Sequence, residues 1–331
     1  MSEESSSINL TPLRERSRGL LLGILMALIV FAMGWYLVSP TDMGVPNETK
    51  TSAPLPDAEQ EPVYILLIGT DSRKGTALYT GKEWEEGQTT CKADVLTLVR
   101  IDPANQVLTF LTIPRDTLSI GTKTKINGWL KNDDPERTVQ EVEKLTGVEI
   151  PYYMMVSLSG FEDIVNAIGG IVIDVPTNVE MLDPATGGEV KVIAGPAQQL
   201  DGAKALAVAS AWDNTNELEP LRQMCVRAIE YAMVDKVIEG GSDLLRQAVS
   251  ALYNKVTTNM DKDTALALAN DYAQNRGSYT VYLGSGPYQG QMTNEGVWVV
   301  NRDEEAWKEC MAVVDAGGNP NTVVVSLSSG A

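Results

Sequence analysis

The chain has 331 residues, with 26 Lys and Arg against 44 Asp and Glu, a formal charge of −18 and no His. Such a field repels a phosphate backbone and no basic cluster offsets it, so nucleic acid is excluded as a partner. The missing His rules out Ser-His triads, Cys-His nucleophile pairs and His-containing zinc sites, and the three Cys, at 91, 225 and 310, lack zinc-knuckle spacing. Residues 19–38 are 20 positions without a charge, which at ~1.5 Å per residue span ~30 Å and predict one transmembrane helix. Arg14, Arg16 and Arg18 precede it and the next basic residue is Lys50, so 1–18 is expected as a cytoplasmic tail with the rest outside the cell. Those three Arg offset Glu3, Glu4 and Glu15, so the whole negative charge belongs to the exported part. Residues 39–62 carry Pro40, Pro46, Pro54, Pro56 and Pro62 among small polar residues and read as an extended extracellular linker.

The exported part begins with an apolar run at 63–68 that suits a buried central strand. Runs at 94–101 and 107–113 are rich in β-branched residues and flank the turn residues 102–106, which predicts an antiparallel hairpin. A helix is expected at 136–145, started by Asp133, Asp134 and Pro135 and ended by Gly147. A strand at 152–158, a helix at 159–168 closing on Gly169 and Gly170, and a strand at 171–175 follow. Helices are then expected at 203–211, 218–238, 243–256 and 262–273. Strands at 279–283 and 298–300, a helix at 304–314 and a tail complete the chain. In the helix at 218–238, Leu221, Met224, Cys225, Ala228, Ile229 and Ala232 recur at helical spacing as the buried stripe. Alternating helices and strands give an α/β class in layers.

With the first three strands running up, down and up, the end of the first, the start of the second and the end of the third share one sheet edge. Asp71, Asp94 and Arg115 then converge, with Lys92 nearby. Two carboxylates and a guanidinium at a sheet edge suit a magnesium-bound phosphate group, the acids holding the cation and the Arg forking onto phosphate oxygens. Taken singly, each residue also reads as a turn former, a solvated acid or a surface ion pair. Cys91 lies three residues before Asp94 and Cys225 three after Arg222. A disulfide between them would pin the loop 74–90 to the helix, and unpaired thiols are the other reading.

The segments Tyr64-Ile65-Leu66-Leu67-Ile68-Gly69-Thr70-Asp71-Ser72-Arg73, Lys92-Ala93-Asp94, Ile113-Pro114-Arg115-Asp116-Thr117 and Lys125-Ile126-Asn127 resemble the LytR-CpsA-Psr family in order and wording. Gly160-Phe161, Ile168-Gly169-Gly170-Ile171, Ala194-Gly195 and Leu200-Asp201-Gly202 extend the likeness, which covers about 63–240. The resemblance implies a three-layer α/β/α sandwich with a central mixed sheet at 63–240, with 241–318 an extension of the same domain and 319–331 a tail. It implies an anchored enzyme that moves an undecaprenyl-pyrophosphate-linked glycopolymer, of teichoic acid or capsule type, onto peptidoglycan through a phosphodiester. Mg²⁺ would be held by Asp71 and Asp94, which with Arg115 are the implied catalytic set. Arg73, Lys92, Lys125, Asn127, Arg222 and Gln223 would join Arg115 on the substrate side, and the polyprenyl tail would lie in an apolar channel between sheet and helices. Phosphoryl transfer of this kind relies on positioning and positive charge, so the absence of His is compatible with it.

The sequence departs from the family pattern where it would carry an Arg-x-Arg pair, with Ser210 and Trp212 at those positions. Asn216 and Glu219 stand where an Asp and an Arg would precede Arg222 and Gln223, and Lys92 replaces an Arg. These departures keep a second reading open, that of a noncatalytic polyprenyl-pyrophosphate binder or regulatory envelope protein.

Overall fold

The computed structural model describes residues 61–72, 91–130, 134–183, 185–211, 219–239, 255–261 and 278–323, with 264, 268 and 275 between them. The expected transmembrane helix at 19–38, the linker up to 60, Arg73, Trp212 and most of the two helices expected across 243–273 lie outside the described residues. Among the described residues no helix is long and apolar enough to cross a membrane.

Six strands form one sheet in the order β10, β3, β2, β1, β4, β9. In chain order these are β1 (Val63–Thr70), β2 (Ala93–Asp102), β3 (Val107–Thr112), β4 (Tyr152–Ser157), β9 (Val256–Thr258) and β10 (Thr280–Ser285). β4 runs parallel to β1 and β10 parallel to β3, while the other neighbours are antiparallel, so the sheet is mixed. Residues after 240 thus supply both edge strands. Val256, expected as the last residue of a helix, instead begins a run of three β-branched residues that pairs with β4.

Alternation along β1 sends side chains to two separate cores. Ile65 and Leu67 pack with Ile164 and Val165 of α2 (Leu158–Ala167), Ala205 and Val208 of α3 (Gly202–Ser210), and Ile229 of α4 (Glu219–Glu239). Tyr64, Leu66 and Ile68 pack with Val142 and Leu145 of α1 (Glu136–Thr146), and with Trp307 and Met311 of α5 (Glu304–Asp315). Helices cover both faces, which is why β1 is apolar at almost every position rather than at alternate ones. Each such Leu or Ile contributes about 1.5 to 3 kcal/mol by leaving water.

The helix ends follow local chemistry. Ser157, Asp201 and Asp303 accept the backbone N–H of Gly160, Lys204 and Ala306 at the starts of α2, α3 and α5. Pro135 precedes α1 without a side-chain cap, and Asp134 Oδ1 accepts the Glu136 amide at 3.0 Å instead. Gly147 ends α1 with φ 76, a left-handed conformation in which its N–H reaches Glu143 O at 2.7 Å. Two antiparallel pairs stand beside the main sheet, β5 (Ile171–Val175) with β8 (Gly195–Leu200) and β6 (Val179–Leu182) with β7 (Glu189–Val192). A further pair, β11 (Gly290–Met292) with β12 (Trp298–Val300), lies before α5.

Two sequence expectations are corrected here. No disulfide joins Cys91 and Cys225. Cys225 belongs to the core under α4, whereas Cys91 packs against the core on the opposite face, so the sheet stands between them. The buried stripe of α4 also differs: Cys225, Ile229 and Ala232 are buried, but Met224 is 45% exposed while Arg222 and Gln223 are buried.

Candidate active site at one end of the central sheet

β1 and β2 pair antiparallel down to Thr70 opposite Ala93, with an irregularity between Gly69 and Thr70. Asp71 follows directly, and two contacts anchor it to β2. Its N–H donates to Lys92 O at 3.1 Å, and its carboxylate accepts the Lys92 N–H at 2.5 Å. On the other side of β2, the pairing with β3 continues past Thr112, because Ile113 N–H donates to Leu96 O at 2.8 Å. The register brings Arg115 beside Asp94, and Arg115 Nη1 lies 2.7 Å from Asp94 Oδ1. The up, down, up order of the first three strands therefore collects Asp71, Asp94 and Arg115 at one end of the sheet.

The first turn of α4 closes this end. Arg222 forks onto Glu219, with Nε and Nη2 at 2.8 and 2.7 Å from the two carboxylate oxygens. It also donates to the carbonyls of Ala209 and Asp94 at 3.1 and 3.3 Å. Gln223 Nε2 donates to Glu219 at 3.2 Å, and Gln223 Oε1 accepts Ser285 Oγ at 3.0 Å from β10. Arg115 Nη2 is 3.9 Å from Glu219, so one carboxylate stands between two guanidinium groups. Asp116 is buried and pairs with Lys125 Nζ at 2.7 Å and Arg115 Nε at 3.9 Å. Asn127 is also buried, and its backbone N–H donates to Arg115 O at 3.0 Å, bracing the loop that carries Arg115.

Of the residues expected at the site, Asp71, Asp94, Arg115, Lys125, Asn127, Arg222 and Gln223 belong to this connected set. Lys92 contributes through its backbone and is exposed. Arg222 is not a solvated helix residue: its side chain is 4% exposed. Asp116, Glu219 and Tyr288 join the cluster although none was expected as a site residue. The i, i+3, i+4 spacing of Glu219, Arg222 and Gln223 on a helix was the signal for the cluster.

The electrostatics follow from burial and crowding. Burial pushes the Asp71 carboxyl up to about 6, against the pull of the Lys92 amide, and the neighbouring Asp94 charge adds to the rise. Burial also acts on Glu219, but the Arg222 fork and the Arg115 charge more than offset it and hold the carboxyl below its ordinary range. Burial disfavours the Arg115 charge, yet Asp94, Glu219 and Asp116 together hold its pKa above the usual value. The Tyr288 phenol is pushed up to about 12 by burial and by the charges of Glu219 and Asp116.

Behind the polar cluster lies a small, half-open apolar cavity of about 20 Å³, walled by Val175, Val179, Val208, Leu221 and Cys225, with Arg222 also in its lining. Arg222 is therefore common to the charged cluster and the apolar space.

The model of the LytR_cpsA_psr family matches residues 39–313. The polyisoprenyl-teichoic acid–peptidoglycan teichoic acid transferase TagV of Bacillus subtilis is 26% identical over 275 residues, 77% of this chain and 67% of that protein. The transferase of the same description called TagU in Bacillus mycoides is 28% identical over 249 residues, 73% of this chain and 74% of that one. The solved structure of TagT bound to LIIa-WTA superposes with a TM-score of 0.61 at 18% identity, over 82% of this chain and 96% of that chain, a likeness of fold. A family match across most of the chain, carried on a mixed sheet whose end gathers the quoted motifs, places this protein in the LytR-CpsA-Psr family.

Proposed function

We propose that this protein is a membrane-anchored phosphotransferase that attaches a polyprenyl-pyrophosphate-linked glycopolymer, of teichoic acid or capsule type, to peptidoglycan outside the cell. The observation that carries this reading is the convergence of Asp71, Asp94, Arg115 and Arg222 at one end of the sheet, with Arg222 also lining an apolar cavity. The names of the relatives TagV and TagU support the class of reaction.

The acceptor hydroxyl oxygen would attack the phosphorus nearer the glycan, and the bond from that phosphorus to the bridging oxygen would break, releasing polyprenyl phosphate. The proton of the hydroxyl leaves to Asp71 or Asp94. Arg115 stands where it can face charge building on the phosphate oxygens, and its ion pair with Asp94 fixes its direction. The small apolar cavity beside Arg222 would have to widen for the start of a polyprenyl chain to leave water there. Asp71 and Asp94 fit a magnesium ion, because the two acids repel each other and magnesium is commonly held by one or two carboxylates with phosphate oxygens completing its shell. Bound there, the ion would supply positive charge to the phosphates. No group of three or more acids or thiols able to hold a metal occurs among the described residues, so phosphate oxygens would make up the rest of that shell.

The test is release of polyprenyl phosphate from a lipid-linked donor by the full chain in detergent, with and without magnesium. Release that depends on magnesium and falls at least about 100-fold in Asp94→Ala is the expected result. The second reading, a noncatalytic binder of the same lipid, draws on the pairing of Glu219 with Arg222. Retained lipid binding with no release from any donor would favour it.

A further inference from the structure

Glu219 sits at the centre of the charged cluster, with its side chain 3% exposed. Both of its oxygens face the Arg222 fork at 2.7 and 2.8 Å, and Arg115 Nη2 approaches to 3.9 Å. Gln223 holds it from the next turn of the same helix, and Ser285 holds Gln223 in turn. A planar guanidinium fork satisfied by an internal carboxylate is closed to the oxygens of a phosphate group, which would approach the same N–H groups in the same geometry. Around this point the described residues place four acids, Asp71, Asp94, Asp116 and Glu219, against three cations engaged with them, Arg115, Lys125 and Arg222. The exposed Lys92, whose charge also acts on Asp71, makes four cations against those four acids, so a bare diphosphate meets a cluster with no net positive charge.

We propose that Glu219 is an internal counter-anion that holds Arg115 and Arg222 in the place of phosphate oxygens, and that it makes the site accept diphosphate only as a complex with a divalent cation. This rests on the reading of the site as a polyprenyl-pyrophosphate site and names the residue that sets its selectivity. Glu219 acts through the two Arg side chains and is a positioning and specificity residue rather than a catalytic one. Its carboxylate must be outweighed or displaced each time a diphosphate enters. Asp71 and Asp94 would hold the accompanying cation, whose charge would tip that balance.

The test uses inorganic pyrophosphate as the probe, titrated calorimetrically into the full chain in detergent with magnesium and with chelator. The wild-type protein is expected to bind with magnesium and at least about tenfold more weakly without it, the scale of one unit charge at close range in a partly screened site. Glu219→Gln keeps an oxygen that can accept from Arg222 and removes the charge, so it is expected to bind magnesium-free pyrophosphate at least about tenfold more tightly than wild type. Thermal unfolding checks that the variant is folded. If it is not, Glu219→Asp draws the carboxylate back from both guanidinium groups, with a smaller gain of the same sign. Equal magnesium-free affinity of folded variant and wild type overturns the role of Glu219 alone. No pyrophosphate binding by either protein, with or without magnesium, overturns the diphosphate site itself and this inference with it.

Discussion

Replacing Arg222 by Leu removes one partner of a pair whose side chains are 4% and 3% exposed. The carboxylate of Glu219 would lose both prongs of the fork, at 2.7 and 2.8 Å, and keep Gln223 and the more distant Arg115. Leaving a buried charge without its partner costs about 3 to 5 kcal/mol. For a domain of this size that corresponds to a fall in melting temperature of roughly 6 to 20 °C at pH 7. Arg222→Leu combined with Glu219→Leu leaves no stranded charge and should recover most of the loss, so the two changes are strongly non-additive. The pH dependence changes sign between wild type and the single variant. In wild type the Glu219 carboxyl is held low despite its burial, so its contribution is present above the ordinary carboxyl range and lost as pH falls through the lowered value. In Arg222→Leu burial dominates, the carboxyl is raised, and the deficit shrinks as pH falls towards that of a free carboxylic acid. Thermal unfolding by circular dichroism across pH for the three proteins measures both effects. A loss under about 1 kcal/mol for the single variant, or a double variant that loses the sum, would refute the argument.

Glu230 on α4 accepts Thr97 Oγ1 at 3.1 Å, and burial pushes its carboxyl up to about 7 against the pull of that bond and of Arg227. With the folded value above the unfolded one, its contribution is full below the ordinary carboxyl range and lost as pH rises to about 7. Glu230→Gln should therefore flatten the decline in stability over that window, by up to about 3 kcal/mol, and melting curves that keep the wild-type slope would contradict this. Gly202 lies where α3 crosses α2: a Cβ there would stand 2.4 Å from Glu162 O and 2.8 Å from Asn166 Nδ2. Gly202→Ala is expected to cost about 1 to 3 kcal/mol in chemical unfolding, and an unchanged midpoint would show that the two helices are free to part.

Much of the site was legible because its strands are. The continuous apolar run of β1, the β-branched runs of β2 and β3 and the turn between them mark three strands, and their observed up, down, up pairing sets Asp71, Asp94 and Arg115 at one end of the sheet. The contribution of α4 was harder to read, since a hydrophobic stripe assigns Met224 inward and Arg222 outward. The fold reverses both, because Arg222 meets Glu219 and two carbonyls and so has no need of water, while Met224 ends at the surface. The short strands β6 and β7 escaped notice although Val179, Val190 and Val192 turn inward and Glu180 and Lys191 pair at 2.7 Å across them. Four residues give too few alternations to stand out. Of the two readings of Cys91 and Cys225, the bridge does not form, since proximity in sequence to two site residues says nothing about which face of the sheet each thiol occupies.

On the proposed reading, the acids at the end of β1 and the start of β2 and the guanidinium after β3 hold one metal-bound diphosphate. Crystals of the protein grown with manganese and a polyprenyl diphosphate, examined by anomalous diffraction, test it most directly. A manganese peak shared by Asp71 and Asp94, phosphate oxygens on Arg115 and the lipid entering beside Arg222 are the expected result. Manganese and diphosphate bound together at any other part of the surface, with Asp94 still paired only to Arg115, would contradict it.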